Sequence, residues 1–456
     1  MDDHYTSAGP QASLRRLQQQ LGDRLLTGQE DIAAHSHDSS RDEPNGSALA
    51  VVMAQDTADV SAALAWAHEH GVPVSVRGAG TGLAGGANAY DGGLILSLSR
   101  MNRILDIDAD DRLAVVQPGV ITAELDAEAR LQGLFYPPDP ASARSCTIGG
   151  NIATNAGGLR CVAHGVTRDA VAALEVVLAD GRIMRTGSRT RKDVVGYDLT
   201  SLFVGSEGTL GVVTEATLRL KRVPEGAPCS FRASFGDLES AGRAVTAIVS
   251  GPHSPEILEL MDAASVEIIE AFRPSGIAVP RGAMLVGQTV GVNAAAAAAA
   301  IAEVCVTHGA TETELSDSDA LIEARRLSNP ALTARGLKLS CDVGVPVARL
   351  AEVFHGITAL SERHGRLVAT VAHAGDGNLH STVECDDGDI AAADALLDDV
   401  TRLALSLGGT ITGEHGIGSV KRHELPWQLD EAARETQRAI KLALDPRGIL
   451  TPDRAI

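Results

Sequence analysis

Two histidines, His373 and His380, bracket the octapeptide "HAGDGNLH", seven positions apart with two glycines, an aspartate and an asparagine between them. Imidazole is both a common metal ligand and a base that titrates near neutrality, so the pair admits two readings. Either the histidines close the strands of a Gly/Asp/Asn hairpin, or they converge on something that takes two nitrogen ligands. Seven residues through a glycine turn is not a standard chelate spacing, and the local sequence leaves both readings open. Further along, "GEHGIGSVK" (413–421) adds Glu414 and His415. His373, His380 and Glu414 then make a two-imidazole, one-carboxylate set, which suits a divalent ion such as zinc or manganese with positions left open for a substrate.

A second kind of chemistry is signalled by glycine. In "RGAGTGLAGGA" (77–87) the glycines leave backbone amides bare for a phosphate to approach. A dinucleotide site of the Rossmann type would need a helix to open directly after these glycines. The chain instead continues with "NAYDGGLILSLSRM", a turn and then a strand with Leu94, Leu96 and Leu98 alternating. The loop therefore joins strand to strand, which argues against NAD bound in that fashion. Two further clusters, "CTIGGNIATNAGG" (146–158) and "GSEGTLGVVTEATLRL" (205–220), repeat the signal. Three such loops can be ordinary tight turns. A long phosphate-bearing cofactor lying across them explains the arrangement better, because "PPDPASARSCTIGGN" also sets small and hydroxyl side chains beside bare backbone.

The elements that must position these residues are distributed over 456 residues, enough for two or three domains. "ALAVVMAQDTADVSAALAWAHEHGVPVSVRGAG" reads as strand, helix, strand, and such alternation runs to about Leu220. From about Pro224 the pattern changes to longer helices between short strands such as "AMLVGQTV". The alanine run in "NAAAAAAAIAEVCVTHG" reads as a packed helix, alanine being the best helix former. With 59 acidic against 39 basic side chains the formal charge is −20, which disfavours nucleic acid as a partner. The N-terminus has neither a secretory pattern nor a run long enough to cross a bilayer, so a cytoplasmic protein without a transmembrane segment is expected. Six cysteines without a CxxC pair suggest neither a disulfide framework nor a thiolate zinc site.

Taken together, "PVSVRGAGTGLAGGA", "PPDP", "TIGGNIATNAGG", "HGVTRDAVAALEVVLADGRI", "VGYDLTSLFVGSEGTLGVVTEATLRL", "HAGDGNLH", "GEHGIGSVK" and "LDPRGILTPDR" resemble, in order over roughly residues 45 to 454, the flavoproteins of the vanillyl-alcohol-oxidase type. The likeness is to their FAD-dependent D-2-hydroxyacid dehydrogenases, the group of D-lactate dehydrogenase, the flavin subunit of glycolate oxidase and D-2-hydroxyglutarate dehydrogenase. The resemblance implies an α+β fold: a two-subdomain FAD-binding domain over 1–222, a ferredoxin-like substrate cap over 223–425, and a helical tail over 426–456 that returns to the flavin domain. It implies FAD pyrophosphate over the loop that starts at Arg77 and runs through Gly78, Ala79, Gly80, Thr81 and Gly82, closed by Gly85 and Gly86. Pro138, Asp139, Thr147, Gly149, Gly150, Asn151, Asn155 and Gly157 would form a second wall, and Val213 would face the adenine half. The first loop holds no histidine for covalent attachment, so FAD is expected to be non-covalent. One departure is His164, where the family usually has Tyr, and packing is the favoured reading there over contact with the flavin.

For catalysis the resemblance implies a divalent metal, Zn²⁺ or Mn²⁺, on His373, His380 and Glu414. It assigns proton abstraction to His415, an amide contact to Asn378, and the substrate carboxylate to Arg325. Asp376 would hold the turn. The reaction implied is oxidation of a small D-2-hydroxyacid to the 2-oxoacid, with electrons passed to FAD and then to an unidentified acceptor. Relatives that take the five-carbon diacid carry a Thr four positions after the arginine and a Lys just before the "xD" of the next strand. Asn329 and Ser340 stand there in this chain, with Lys338 displaced by two, so D-lactate or glycolate is favoured. The alternatives are D-2-hydroxyglutarate, an oxygen-using 2-hydroxyacid oxidase, or a non-catalytic flavin- or metal-binding subunit. A homodimer is one assembly the sequence allows.

Overall fold

The strand, helix, strand pattern is realised in the computed structural model, which describes residues 10–42, 46–274 and 276–456. The reading of the extreme N-terminus falls partly on residues 1–9, outside the described residues. Strands Ala50–Met53 and Val74–Arg77 both pair in parallel with Leu94–Ser97. The helix between them, Thr57–His70, begins where the Asp56 side chain accepts from Asp59 N and ends on Gly71 at φ +66°. Its buried Val60, Ala63, Leu64 and Ala67 recur at three- and four-residue intervals and pack on the sheet. The chain's last residues come back to this sheet: Val74 N donates to Ile449 O at 2.8 Å, and Thr451 N to Val74 O at 2.9 Å. A second, five-stranded antiparallel sheet runs in the order Ile104–Asp108, Leu113–Val116, Val212–Arg219, Val171–Val177, Ile183–Gly187.

From Cys229 the chain builds a seven-stranded antiparallel sheet in which the expected ferredoxin-like motif occurs twice. In the first half the order is Ala310–Ser316, Cys229–Phe235, Ala283–Thr289, Ile257–Asp262. Crossover helices Leu238–Val249 and Ala294–Thr307 cover it, so the alanine run is a packed helix with Ala298, Ile301 and Cys305 buried. In the second half the order is Val368–His373, Asn378–Glu384, Lys338–Gly344, with helices Leu350–His364 and Ile390–Ser406. Thr410 bridges to Gly344 where a fourth strand would lie. The halves join edge to edge through only two register pairs, Leu260↔Ala372 and Met261↔Val371.

Alternation along these strands divides the sheet into two faces. Phe231, Leu260, Leu285, Phe354 and Leu396 form a core between one face and the four crossover helices. Met261, Met284 and Val371 lie on the other face, in a cluster that includes Leu159 from the preceding region. The second face is therefore the one turned toward the glycine-rich loops. Leu260, fully buried at the junction, supplies a test. Leu260→Ala should cost about 2–5 kcal/mol in urea unfolding, the usual range for such a truncation in a packed core. A loss below about 1 kcal/mol would mean that the seam between the halves is not packed as described.

Candidate active site

The register of the seven-stranded sheet decides what the histidine pair does. His373 ends one strand and faces Asn378 across the turn, while His380 lies opposite Val371, two residues before His373. Positions 371 and 373 share a face, so His380 and His373 do too, with ring centroids 5.3 Å apart at 89°. The turn is tight because Gly377 adopts φ +82° and a Cβ there would strike Val345 O. Asp376 Oδ1 accepts from Asn378 N at 3.2 Å. The hairpin is thus present, and the same geometry brings the two imidazoles together on one face.

Acidic residues flank the pair on the same face. Continuing the pairing of Leu260 with Ala372 sets Glu259 beside His373, and Asp342 pairs with His380. Glu259 Oε1 lies 2.8 Å from His373 Nδ1, and Asp342 Oδ1 lies 3.9 Å from His380 Nδ1. Glu414 enters from the 413–421 loop, its Oε1 3.3 Å from His373 Nε2 and 3.2 Å from His380 Nε2. Burial alone would lower the His373 pKa, but Glu259 and Glu414 hold it well above the ordinary value. Burial would raise Glu414, and the two imidazoles hold it well below the carboxylate range instead.

Asp342 is fully buried, and its Oδ2 accepts from Thr412 Oγ1 and from the backbone N–H groups of Gly413, Glu414 and His415 at 2.7 to 3.0 Å. Despite burial its carboxyl stays far below the usual range, facing His415, Lys421 and His380. The loop is thereby latched to the sheet, and the His415 ring stacks on His380 with centroids 4.9 Å apart. Burial is the main cause that lowers the His415 pKa, which favours a neutral imidazole able to accept a proton.

Around the hairpin, two overlapping residue sets could each hold an ion, with donor atoms within 4.8 Å of one another: His373, His380 and Glu414, or Asp342, His380 and His415. The first fits better. The His373 and His380 Nε2 atoms both point at one Glu414 oxygen, at 3.3 and 3.2 Å, whereas Asp342 has only Oδ1 to offer, 3.9 Å from His380 Nδ1, its Oδ2 being committed to four donors. Glu259 on the far nitrogen of His373 is also the outer partner that orients a ligating imidazole.

Arg325 is 6% exposed. Its Nε lies 2.9 Å from Glu259 Oε2, and its Nη1 donates to Ser328 Oγ at 3.0 Å. Its Nη2 is buried without a hydrogen-bond partner. Arg325, His373, His380, Glu414, His415 and Lys338 line one chamber of about 520 Å³. The Asn378 amide oxygen is likewise buried and unpartnered, with Gly413 packed so close that a Cβ there would collide with it. The adjacent Arg326 instead bonds Asp139 at 2.7 Å.

The three glycine clusters meet around the same loop. Ile417 N and Gly418 N donate to the two Glu207 oxygens, each at 2.8 Å, and Ser419 N donates to Ala84 O at 2.9 Å. Burial raises the Glu207 carboxyl pKa. Gly157 approaches so closely that a Cβ would come within 2.8 Å of Glu414 Oε2. In the first loop Ala79 and Gly82 are exposed, Thr81 and Gly86 are half-buried, and no helix follows. Gly80 and Gly85 have φ of +73° and +77°. A Cβ at Gly78 would strike Thr147 Oγ1, one at Gly80 the Arg77 guanidinium, and one at Gly149 would meet Pro118.

Thr147 caps the helix Ile148–Thr154 by accepting from Gly150 N at 3.2 Å. Asn151 is turned inward to Thr122 Oγ1 at 2.7 Å, and Asn155, at φ +53°, accepts from Arg168 N at 2.9 Å. Pro138 is buried and Val213 half-buried. His164 does more than pack: Nε2 lies 2.8 Å from Glu256 Oε1 and Nδ1 2.9 Å from Lys221 Nζ. Glu259, Asp342 and Glu207 were not singled out from sequence. The available signal for the first two was an acid within an apolar strand, in "ILELM" and "SCDVG".

Residues 48–187 match the family model described as the FAD binding domain, and residues 228–455 match that of the FAD linked oxidases, C-terminal domain. The chain belongs to the FAD-linked oxidases. The glycolate oxidase subunit GlcD of Bacillus subtilis (strain 168) is 39% identical over 413 residues, 88% of each chain. A D-lactate dehydrogenase of Archaeoglobus fulgidus is 39% identical over 412 residues, 89% of this chain and 91% of that one. Among solved structures, p-cresol methylhydroxylase superposes with a TM-score of 0.80 at 17% identity, over 98% of this chain and 96% of that one. The 4-ethylphenol oxidase of Gulosibacter chungangensis gives 0.77 at 17% identity, over 100% and 98%. At that identity the likeness speaks for the fold, an α+β flavoprotein fold of the vanillyl-alcohol-oxidase type. This FAD-linked oxidoreductase has, among its described residues, no helix long and apolar enough to cross a membrane.

Family membership makes the first loop testable. Gly80→Val forces a branched side chain into the left-handed region and onto Arg77. The purified variant should show little or none of the flavin absorbance of the parent, and a fully yellow protein would mean that this loop does not shape the cofactor site.

Proposed function

We propose that this enzyme oxidises a short 2-hydroxyacid, D-lactate or glycolate, to the 2-oxoacid, with FAD held non-covalently and a divalent ion, Zn²⁺ or Mn²⁺, between His373, His380 and Glu414. The observation that carries the reading is the Arg325 guanidinium, whose buried Nη2 lacks a partner in a chamber that also exposes the His415 ring. A buried unpaired donor of this kind calls for an anionic acceptor, and a carboxylate matches the guanidinium fork. The names of the relatives, glycolate oxidase subunit and D-lactate dehydrogenase, support the same substrate class.

In this reading Arg325 anchors the carboxylate, while Asn378 lines the adjoining cavity with Asp376, His373 and Glu414 and belongs to the hairpin. The neutral His415 takes the hydroxyl proton at a ring nitrogen while Asp342 fixes its backbone. When bound, FAD supplies the acceptor for the α-hydrogen and its two electrons, and the divalent ion supplies positive charge that lowers the hydroxyl pKa. Lys338 spends its ammonium on the Asn329 side chain, leaving one clear carboxylate clamp, which favours a monocarboxylate over the five-carbon diacid.

Anaerobic mixing with D-lactate, glycolate and D-2-hydroxyglutarate should bleach the flavin band fastest with one of the first two. Arg325→Lys should keep the flavin and raise the KM by about 10-fold or more, since lysine cannot offer the fork. An unchanged KM would remove Arg325 from the clamp, and fastest bleaching by the diacid would overturn the substrate. Chelation should leave the flavin bound and oxidised while removing most substrate-driven reduction, with Zn²⁺ or Mn²⁺ restoring it. A chelator-insensitive enzyme free of metal would return both histidines to a structural role.

A further inference from the structure

The chamber carries a second group of ligand-capable side chains, away from the hairpin. Asp398 comes from the helix Ile390–Ser406, and His423 and Glu424 come from the single turn Arg422–Glu424 that follows the 413–421 loop. Their donor atoms lie within 4.8 Å of one another. Such a cluster alone would say little, since acidic groups gather on many surfaces. Glu424 adds a second observation: it is 6% exposed, and its Oε2 has no hydrogen-bond partner.

A buried carboxylate oxygen without a donor is costly unless a cation or proton meets it. The cations nearby are committed elsewhere, Arg41 to Asp394 Oδ1 at 2.7 Å. Lys421 Nζ donates to Asp342 O at 2.8 Å and to Ile411 O at 2.5 Å. The Arg402 guanidinium lies 3.8 Å over the Trp427 ring. Burial raises both carboxyls, outweighing the opposing pull of Lys421 and His423 on Glu424 and of His423 and Arg402 on Asp398. His423 is exposed, with its ring edge-on to Trp427 at 5.6 Å, and can turn to an ion without disturbing a core.

We infer that Asp398, His423 and Glu424 form a second divalent-cation site, separate from the hairpin set, which ties the helix Ile390–Ser406 to the turn behind the loop of His415. Two carboxylates and one imidazole with open positions suit a first-row ion such as Mn²⁺ or Zn²⁺. An ion there would pin the C-terminal end of a loop whose N-terminal end Asp342 already latches.

The test is a count of ions on the metal-stripped, flavin-loaded full chain titrated with Mn²⁺ and, separately, Zn²⁺ in equilibrium dialysis. The wild type should take up about two ions per chain, and His423→Gln and His380→Ala about one each, the three-ligand stoichiometry applying at each centre. Because His423 is exposed, His423→Gln should fold normally, which flavin content and circular dichroism verify, and Glu424→Gln should lose the same ion. An uptake unaltered by both His423→Gln and Glu424→Gln overturns the proposal, as does a wild type that saturates at a single ion removed by His380→Ala. If the hairpin set binds nothing, His380→Ala leaves the count unchanged while His423→Gln still lowers it by one, so the two failures are distinguishable.

Discussion

A row of buried and half-buried side chains in which acids alternate with basic groups organises this protein. Arg325, Glu259, His373, Glu414, His380 and Asp342 follow one another with separations of 2.8 to 3.9 Å, each between neighbours able to carry opposite charge. None of these groups could be taken out of water alone at tolerable cost. The register of four antiparallel strands, and not the local chain, makes the row possible. A one-residue slip of any of them would send its acid or imidazole to the opposite face, among Leu260, Leu285 and Phe354. The demand for charge pairing and the demand for hydrophobic burial therefore select the same register.

The 413–421 loop transmits this order to the flavin-binding half. Asp342 grips its start through backbone N–H groups, and Glu207 and Ala84 grip its end in the same way. Because the contacts are to main chain, the Glu414 and His415 side chains stay free for the chamber. Gly157, Gly413, Gly416 and Gly418 keep that junction thin enough for the two halves of the molecule to close on it.

Much of this was legible in the sequence, and the boundary is physical. The hairpin, the non-Rossmann loop and the alanine helix follow from turn chemistry and periodicity over a few residues, the distances at which sequence pattern carries information. Glu259 and Asp342 are different. Each stands in a short apolar strand where a lone acid reads as an edge or a surface position, and only pairing across 114 residues, for His373 and Glu259, reveals it as an anchor. The burial of Arg325 is equally invisible in its local sequence, because it comes from helices packed against the sheet. The repeat within the seven-stranded sheet is hidden in the sequence because its halves share strand order but no spelling: the first carries an extra helix, Ala263–Phe272, and the second ends in a bridge in place of a strand.

That repeat has a consequence for how such an enzyme can change over time. The first half supplies only an outer anchor, Glu259, and the connector between halves supplies Arg325, while the second half and the loop after it supply the imidazoles, Glu414 and Asp342. If Arg325 clamps the substrate and His415 takes its proton, as proposed, recognition and reactivity sit on different stretches of polypeptide that meet at a narrow seam. Mutations in the connector would then retune which acid is held without touching the groups that move its proton, making substrate preference an inheritable variable over a fixed reaction.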